Sequence, residues 1–310
     1  MGEKSKNSGE AGEKVAKNFL KLIGWSNILD GFDIPCVKPT KHEQKEGSKR
    51  KTHGVDFLTA YRCPFHNKKL EVAFISMKYR DAYKAETSSF KGFLKDIATA
   101  MECAKKSKIN SLKQVHKVKK AANTGVVIWL AYQEDPSADA ISGITDFRSI
   151  DDIHYESIYL VDNQRINFIL GLLGFARKEF HDGEIEFFYP ETGYNNDSFE
   201  RTYSGKILPV QYINSSVLPL KIIDKNEEEY FILGVKDKFN AHSLKRLIGL
   251  SQKLTLAWGK RIIICFPNYH ELTHGQEVKR VKLEFDDSRF IDKVEVRNYT
   301  FGDFRTLEEE

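Results

Sequence analysis

The chain has 310 residues, 41% of them apolar, enough for a buried core and for either two domains or one domain with a large extension. No apolar run reaches the ~18 residues that suggest a spanning helix, which excludes a transmembrane segment of that kind. The net charge of +4 hides an asymmetry: residues 1–133 carry 26 Lys and Arg against 13 Asp and Glu, and residues 134–310 carry 22 against 31. A basic half of this kind points to a polyanionic partner, with nucleic acid first in line. The opening Met1-Gly2-Glu3-Lys4-Ser5-Lys6 lacks an apolar signal region, so a cytoplasmic location is expected. Cys36, Cys63, Cys103 and Cys265 are too scattered to read as a disulfide framework.

Residues 9–23 read as an amphipathic helix. Ala11, Val15, Phe19 and Leu22 recur at spacings of four and three, Asn7 or Ser8 can cap it, and Gly24 ends it. Glu13 lies at the border of the apolar stripe, from where it could reach a site at a sheet edge. Taken alone it is an ordinary first-turn glutamate favoured by the helix dipole. Residues 38–53 are lysine-rich and aperiodic and read as a mobile basic loop, with Lys49, Arg50 and Lys51 available to phosphates.

His53-Gly54-Val55-Asp56-Phe57 then sets a carboxylate among apolar residues, and Leu70 to Lys78 is a strand-like run ending in a lysine. Tyr61 to Lys68 reads as the hairpin turn between them. A hairpin would bring Asp56 and Lys78 to the same end of two paired strands. A carboxylate able to hold a divalent ion would then stand beside an ammonium able to touch a phosphate or an attacking water, the minimum for metal-dependent phosphodiester cleavage. The plainer alternative has Asp56 capping a turn and Lys78 ending a strand in solvent. Strand alternation puts Ser76 and Lys78 on one face.

Arg80 follows, then a helix over about 88–106 with Phe90, Phe93, Leu94, Ile97 and Met101 on its apolar face. Lys105 to Lys120 contains seven lysines and reads as a basic helix whose Lys113, Lys117, Lys119 and Lys120 could track phosphates. Thr124 to Ala131 is an apolar strand of the central parallel type, Ser157 to Asp162 another strand, and 164–180 a helix. This alternation predicts an α/β fold with a mixed central sheet flanked by helices. A second, smaller α/β domain is expected, giving domains 1–185 and 186–310. Its predicted parts are a turn at Asn195-Asn196-Asp197, strands near 206–213, 229–236, 260–266 and 278–286, and a helix near 241–258. The order strand, Lys236, helix, strand echoes residues 72–131 and hints at duplication.

Two rival motifs have poor context. His270-Glu271-Leu272-Thr273-His274 matches H-E-x-x-H, but Pro267 and Asn268 precede it and no apolar helical stripe runs through it, so a loop between strands is expected rather than a zinc protease. Cys63-Pro64-Phe65-His66 could be half of a zinc knuckle completed by Cys36 and His42 or His53. It lacks a second paired spacing, and a hairpin tip reads better.

About the first 180 residues resemble the PD-(D/E)XK restriction-endonuclease superfamily, especially its Mrr-like branch. Gly12-Glu13 with Val15, Leu20 and Gly24-Trp25 resembles its first helix; His53 to Asp56 its Gly-x-Asp; Ile75-Ser76-Met77-Lys78 its (D/E)-x-K strand; and Tyr159 to Asn163 its closing strand and helix. The resemblance implies a Mg²⁺ (or Mn²⁺) dependent DNA endonuclease of restriction or anti-phage defence. Asp56, Glu13 and the Met77 carbonyl would be metal ligands, and Asp56, Lys78, Glu13 and Ser76 would form the catalytic group. Ser76 departs from the pattern, which has an acid there, so Asp81, Glu86 or Asp96 could supply the missing carboxylate. A nucleic-acid-binding subunit with a degenerate site, working in a defence complex, is the alternative. A homo-oligomer or a partner protein is expected, and no membrane.

Overall fold

The computed structural model describes residues 2–43, 47–83, 87–104, 109–142, 144, 153–193 and 201–309. They form two compact units, Met1–Gln164 with Phe304–Glu310, and Arg165–Asp303. The division thus falls before the expected boundary at 185/186, and residues 304–310 return to the first unit.

The first unit runs α1 (Gly2–Leu22), β1 (Ile28–Pro35), β2 (Thr52–Cys63), β3 (His66–Arg80), α2 (Thr87–Ala104), α3 (Ile109–Val115), β4 (Lys120–Ala131) and β5 (Ser157–Val161). Its sheet has the order β1-β2-β3-β4-β5. β1, β2 and β3 pair antiparallel, and β3, β4 and β5 pair parallel. The expected mixed sheet flanked by helices is therefore present. Val15, Ala16, Phe19 and Leu20 bury the apolar stripe of α1, and Ile23, just past its end, is buried with them. Gly24, with φ +82°, turns the chain out of the helix. On the other face of the sheet, Phe90, Leu94, Ile97 and Met101 of α2 pack on Leu58, Val72, Phe74, Val127 and Trp129.

The stretch 105–120 is not one basic helix. α2 is described to Ala104, residues 105–108 lie outside the described residues, and α3 ends at Val115. Lys117 then sits in a turn with φ +52° and Lys120 opens β4. β1 was also not expected. Gly31 adopts φ +57° within it and breaks the alternation that marks a strand.

The second unit contains α4 (Asn163–Glu179, its first two residues before the division), β6 (Glu184–Phe188), β7 (Ser204–Gly205), β8 (Val217–Ile223), β9 (Glu229–Val235), α5 (Ala241–Thr255), β10 (Ile262–Phe266), α6 (Glu271–Lys282), α7 (Ser288–Ile291) and β11 (Val294–Asn298). The sheet order is β11-β10-β9-β8-β6-β7. Three expectations change here. The strand near 206–213 is replaced by the short β7 and a 3-10 turn at Val210–Tyr212, the strand near 278–286 is the helix α6, and β8 was missed because Pro219 interrupts its pattern. The turn expected at 195–197 lies outside the described residues.

The hint of duplication is met by connectivity. β6, β8 and β9 pair antiparallel, and β9, β10 and β11 pair parallel, as β1 to β5 do. A helix precedes each set, and a helix crosses over between its third and fourth strands, as parallel pairing requires. α4 packs closely within its own unit: a Cβ on Gly234 of β9 would lie 2.2 Å from Leu172.

Candidate functional site

The β2–β3 ladder of paired residues stops at Phe57↔Ile75. Asp56 is the next residue of β2, and its Oδ2 accepts the Met77 N–H at 2.6 Å, replacing a ladder bond with a side chain. Val55 and Leu58, an odd number of positions apart, both enter the core on the α2 side, so the alternation of β2 breaks between them. Gly31, opposite Asp56 in the β1–β2 register, carries the matching break. Asp56 thus stands, half-buried, at a fork between two diverging strands.

Glu13 reaches this fork from α1. A Cβ on the neighbouring Gly12 would lie 2.6 Å from Tyr79 Cβ and 3.3 Å from Met77 Cε, so the glycine lets the helix backbone lie directly on β3. The Glu13 carboxyl is held above the ordinary glutamate value, first by burial and then by the negative charges of Asp56, Asp30 and Glu10. Asp30, on β1 and ion-paired with Lys17, is an acid of this neighbourhood that the sequence reading missed. Its strand was not recognised, so nothing marked it.

Ser76 and Lys78 project to the opposite face. Leu70, Val72 and Phe74 share their parity and face α2, and Lys78 Nζ lies 5.6 Å from the centre of the Phe93 ring of that helix. Ser76 is buried. The structure therefore joins Asp56 to the Met77 backbone, with the exposed Glu13 near enough to feel the Asp56 charge, and puts Ser76 and Lys78 on the far face of the same strand. Among the candidates for a missing acid, Asp96 pairs with Arg50 at 3.5 Å, Asp81 is exposed beyond the end of β3, and Glu86 lies outside the described residues.

The basic residues divide between the two ends of the sheet. Lys49, Arg50 and Lys51 lead into β2, and Arg80 ends β3, all at the Asp56 end. Lys120 pairs with Lys69 while Lys78 pairs with Trp129, nine residues further along β3. Lys120, Lys119 and Lys117 are thus roughly 30 Å of strand away from Lys78. Lys113 is half-buried in α3.

Among the described residues, neither Cys63 and His66 nor His270 and His274 belong to a group that could hold a metal ion, whereas Cys36, His42 and His53, named as completing the first motif, do. Cys63 and His66 pair across the β2–β3 hairpin, with Pro64 and Phe65 as its tip. His270 caps α6 in an extended conformation, and His274, in the first turn, accepts the His270 N–H at Nδ1. That motif opens a helix rather than forming a loop, and its histidines are not two ligands on one helical face.

An oxygen donor set of Asp56, Glu13 and a backbone carbonyl suits a hard divalent ion. A carboxylate has about four lone-pair sites, so the single N–H taken by Asp56 Oδ2 leaves capacity for one. The crowding of negative charge that raises Glu13 is what a cation would relieve.

A helix on a mixed five-stranded sheet, with an aspartate at the fork of its second and third strands and a lysine near the end of the third, is the arrangement of PD-(D/E)XK nucleases. The family model described as "GAPS4 protein PD-(D/E)XK nuclease domain" matches residues 1–165, and the chain belongs to that family. The match carries the superfamily and does not name an Mrr-like branch. No curated protein and no solved structure matches the chain. Among the described residues, no helix is long and apolar enough to cross a membrane.

Proposed function

We propose that the first unit is a Mg²⁺- or Mn²⁺-dependent DNA endonuclease of restriction or anti-phage defence, of Mrr-like type, acting in the cytoplasm. The observation that carries this reading is the Asp56 carboxylate at the strand fork, bonded to the Met77 N–H and close enough to Glu13 to oppose its ionisation. Asp56, Glu13 and the Met77 carbonyl would hold the ion. The N–H and C=O of a strand residue point to the same side, so that carbonyl faces the fork. When bound, the ion supplies Lewis-acid polarisation of the scissile phosphate. Lys78 leaves β3 on the far face, so its long side chain would have to swing round the end of the strand to offset the charge of the developing phosphorane and orient the attacking water. Lys49, Lys51 and Arg80 hold the duplex by its phosphates at this end of the sheet. The acidic second half offers a surface for a second copy or a partner protein, and free cysteines suit a reducing compartment. The test is incubation of the intact chain with plasmid and linear DNA in Mg²⁺, Mn²⁺ or EDTA. Cleavage that needs the metal supports the reading; cleavage unaffected by EDTA defeats it.

Two observations favour a second reading, a DNA-binding subunit with a weakened site: Ser76 stands where the family pattern has an acid, and Lys78 projects to the face opposite α1. Tight, salt-dependent DNA binding with no cleavage under any metal would select it.

A further inference from the structure

Four side chains converge at the root of the basic loop, on residues the nuclease reading does not use. Cys36 directly follows β1, His42 lies in the turn after it, His53 is on β2, and Cys103 is in the last turn of α2. Their ligand atoms all lie within 4.8 Å of one another. His42 Nδ1 is 3.2 Å from His53 Nε2, 3.5 Å from Cys36 Sγ and 3.4 Å from Cys103 Sγ, and the two sulfurs are 4.0 Å apart. A tetrahedral zinc ion, with Zn–S about 2.3 Å and Zn–N about 2.0–2.1 Å, has edges of roughly 3.8 Å (S–S), 3.5 Å (S–N) and 3.4 Å (N–N). Four of the six separations follow those edges, and the other two, from His53 Nε2 to the sulfurs, are within 4.8 Å, close enough for a small side-chain adjustment to close the set. The sulfur–sulfur distance is about twice that of a disulfide bond, near 2.05 Å.

The surroundings point the same way. Glu102, itself buried, places Oε2 2.7 Å from His42 Nε2. A carboxylate only accepts, so that nitrogen carries the proton and Nδ1 turns its lone pair toward the two thiols and the other imidazole. The other Glu102 oxygen takes Lys38 Nζ at 2.7 Å and the His154 N–H at 3.4 Å. The Val37 N–H donates to Cys103 Sγ at 3.4 Å. A carboxylate behind a ligating imidazole is the usual outer support of a zinc site. The donors are soft sulfur and imidazole, unlike the oxygen set at Asp56.

We propose that Cys36, His42, His53 and Cys103 bind one structural zinc ion, which clips the loop between β1 and β2 to α2. Four protein ligands close the coordination sphere, so the ion holds structure and leaves no position for substrate. His42 and His53 are the two ends of the segment that carries Lys49, Arg50 and Lys51, and the clip fixes both ends of that segment beside the Asp56 fork.

The test uses the intact chain, expressed with zinc in the medium and purified without chelator. Elemental analysis should find about one zinc per chain, and X-ray absorption should give two sulfur and two nitrogen neighbours. Replacing zinc with Co²⁺ should give the intense visible bands of tetrahedral cobalt with thiolate charge transfer, a readout that needs no variant. Cys36→Ser and Cys103→Ser should each weaken zinc retention at least tenfold against a competing chelator, while Asp56→Asn keeps the zinc. A folded chain that neither contains zinc nor takes up Co²⁺ would overturn the proposal. So would a Cys36–Cys103 disulfide found by thiol counting, or an unchanged cobalt spectrum in Cys103→Ser.

Discussion

Gly12 of α1 and Tyr79 of β3 touch so closely that a Cβ added to the glycine would stand 2.6 Å from the tyrosine Cβ. That contact sets where Glu13 emerges, one residue along the helix and beside the strand fork.

Gly12→Ala should therefore lower both stability and cleavage. Alanine gains about 1 kcal/mol of helix propensity over glycine. Overpacking against a Cβ close to the β3 backbone costs about 1–3 kcal/mol. The net effect expected is destabilisation, read as a lower midpoint in urea, with cleavage falling further because α1 must shift. A variant as stable and as active as the parent would show that this contact positions nothing.

Glu13→Gln should stabilise the metal-free protein and remove its response to Mg²⁺. The Glu13 carboxyl titrates above the ordinary glutamate value, so the folded state holds its proton more tightly than the unfolded state. Stability from this group is thus fully present below the unfolded value and is lost as the pH rises through the raised folded one. Thermal melts of parent and variant without metal should diverge over that window, with the variant higher above it. Added Mg²⁺ should raise the melting temperature of the parent only.

Asp56→Ala and Lys78→Ala should each abolish cleavage while leaving DNA binding within a few-fold. Asp56→Ala also frees the Met77 N–H, so a loss of about 1–3 kcal/mol of stability should accompany it. Lys78→Ala loses, among the described residues, the contact with Phe93 and should be nearly neutral to folding. Full cleavage in either variant would remove that residue from the site.

The two basic groups should behave differently. Lys49→Glu, Lys51→Glu and Arg80→Glu together should weaken binding and reduce the slope of log affinity against log salt by about 0.9 per lost phosphate contact. The same charge reversal at Lys117, Lys119 and Lys120, at the far end of β3 and β4, should leave cleavage at saturating DNA unchanged. Equal effects from both sets would mean that the duplex runs the full length of the sheet.

Much of this frame is legible in the sequence, because it rests on local pattern. The stripe of α1, the apolar run of β4 and the hairpin from Asp56 to Lys78 follow from spacing alone. What escaped depends on tertiary context. Gly31 breaks the pattern of β1 and hides Asp30 with it. Val278 and Val281, buried three positions apart in α6, are helix-spaced in a stretch that otherwise reads as strand. Strand parity made it plain that Ser76 and Lys78 share a face, but only the packing of Gly12 on Met77 and Tyr79 reveals that α1 covers the other one. Of the Cys36, His42, His53 and Cys103 cluster, the sequence offers Cys36 with His42 or His53 as zinc ligands but pairs them with Cys63 and His66; Cys103 escapes because it comes from a distant helix with no motif spacing. In the second unit, the corresponding end of β8 offers Asn214, Ser215 and Ser216 where β2 has Asp56, with the Lys236 N–H bonded to the Ser216 carbonyl at 2.9 Å. Shared connectivity does not imply a second set of acids.

Residues 304–309 belong to the first unit although the whole of 165–303 comes before them. Asn18 of α1 donates to the Leu307 carbonyl at 2.9 Å, Tyr79 bonds to Glu308, and Arg305 donates to the Tyr132 and Glu134 carbonyls. At about 5–20 residues per second on the ribosome, these contacts become available roughly seven to thirty seconds after Gln164 is made. A nascent chain thus carries an unfinished first unit for that interval, with the tail still missing from the strand that bears Lys78. Translational timing would keep an incomplete polypeptide from presenting a finished nuclease fold.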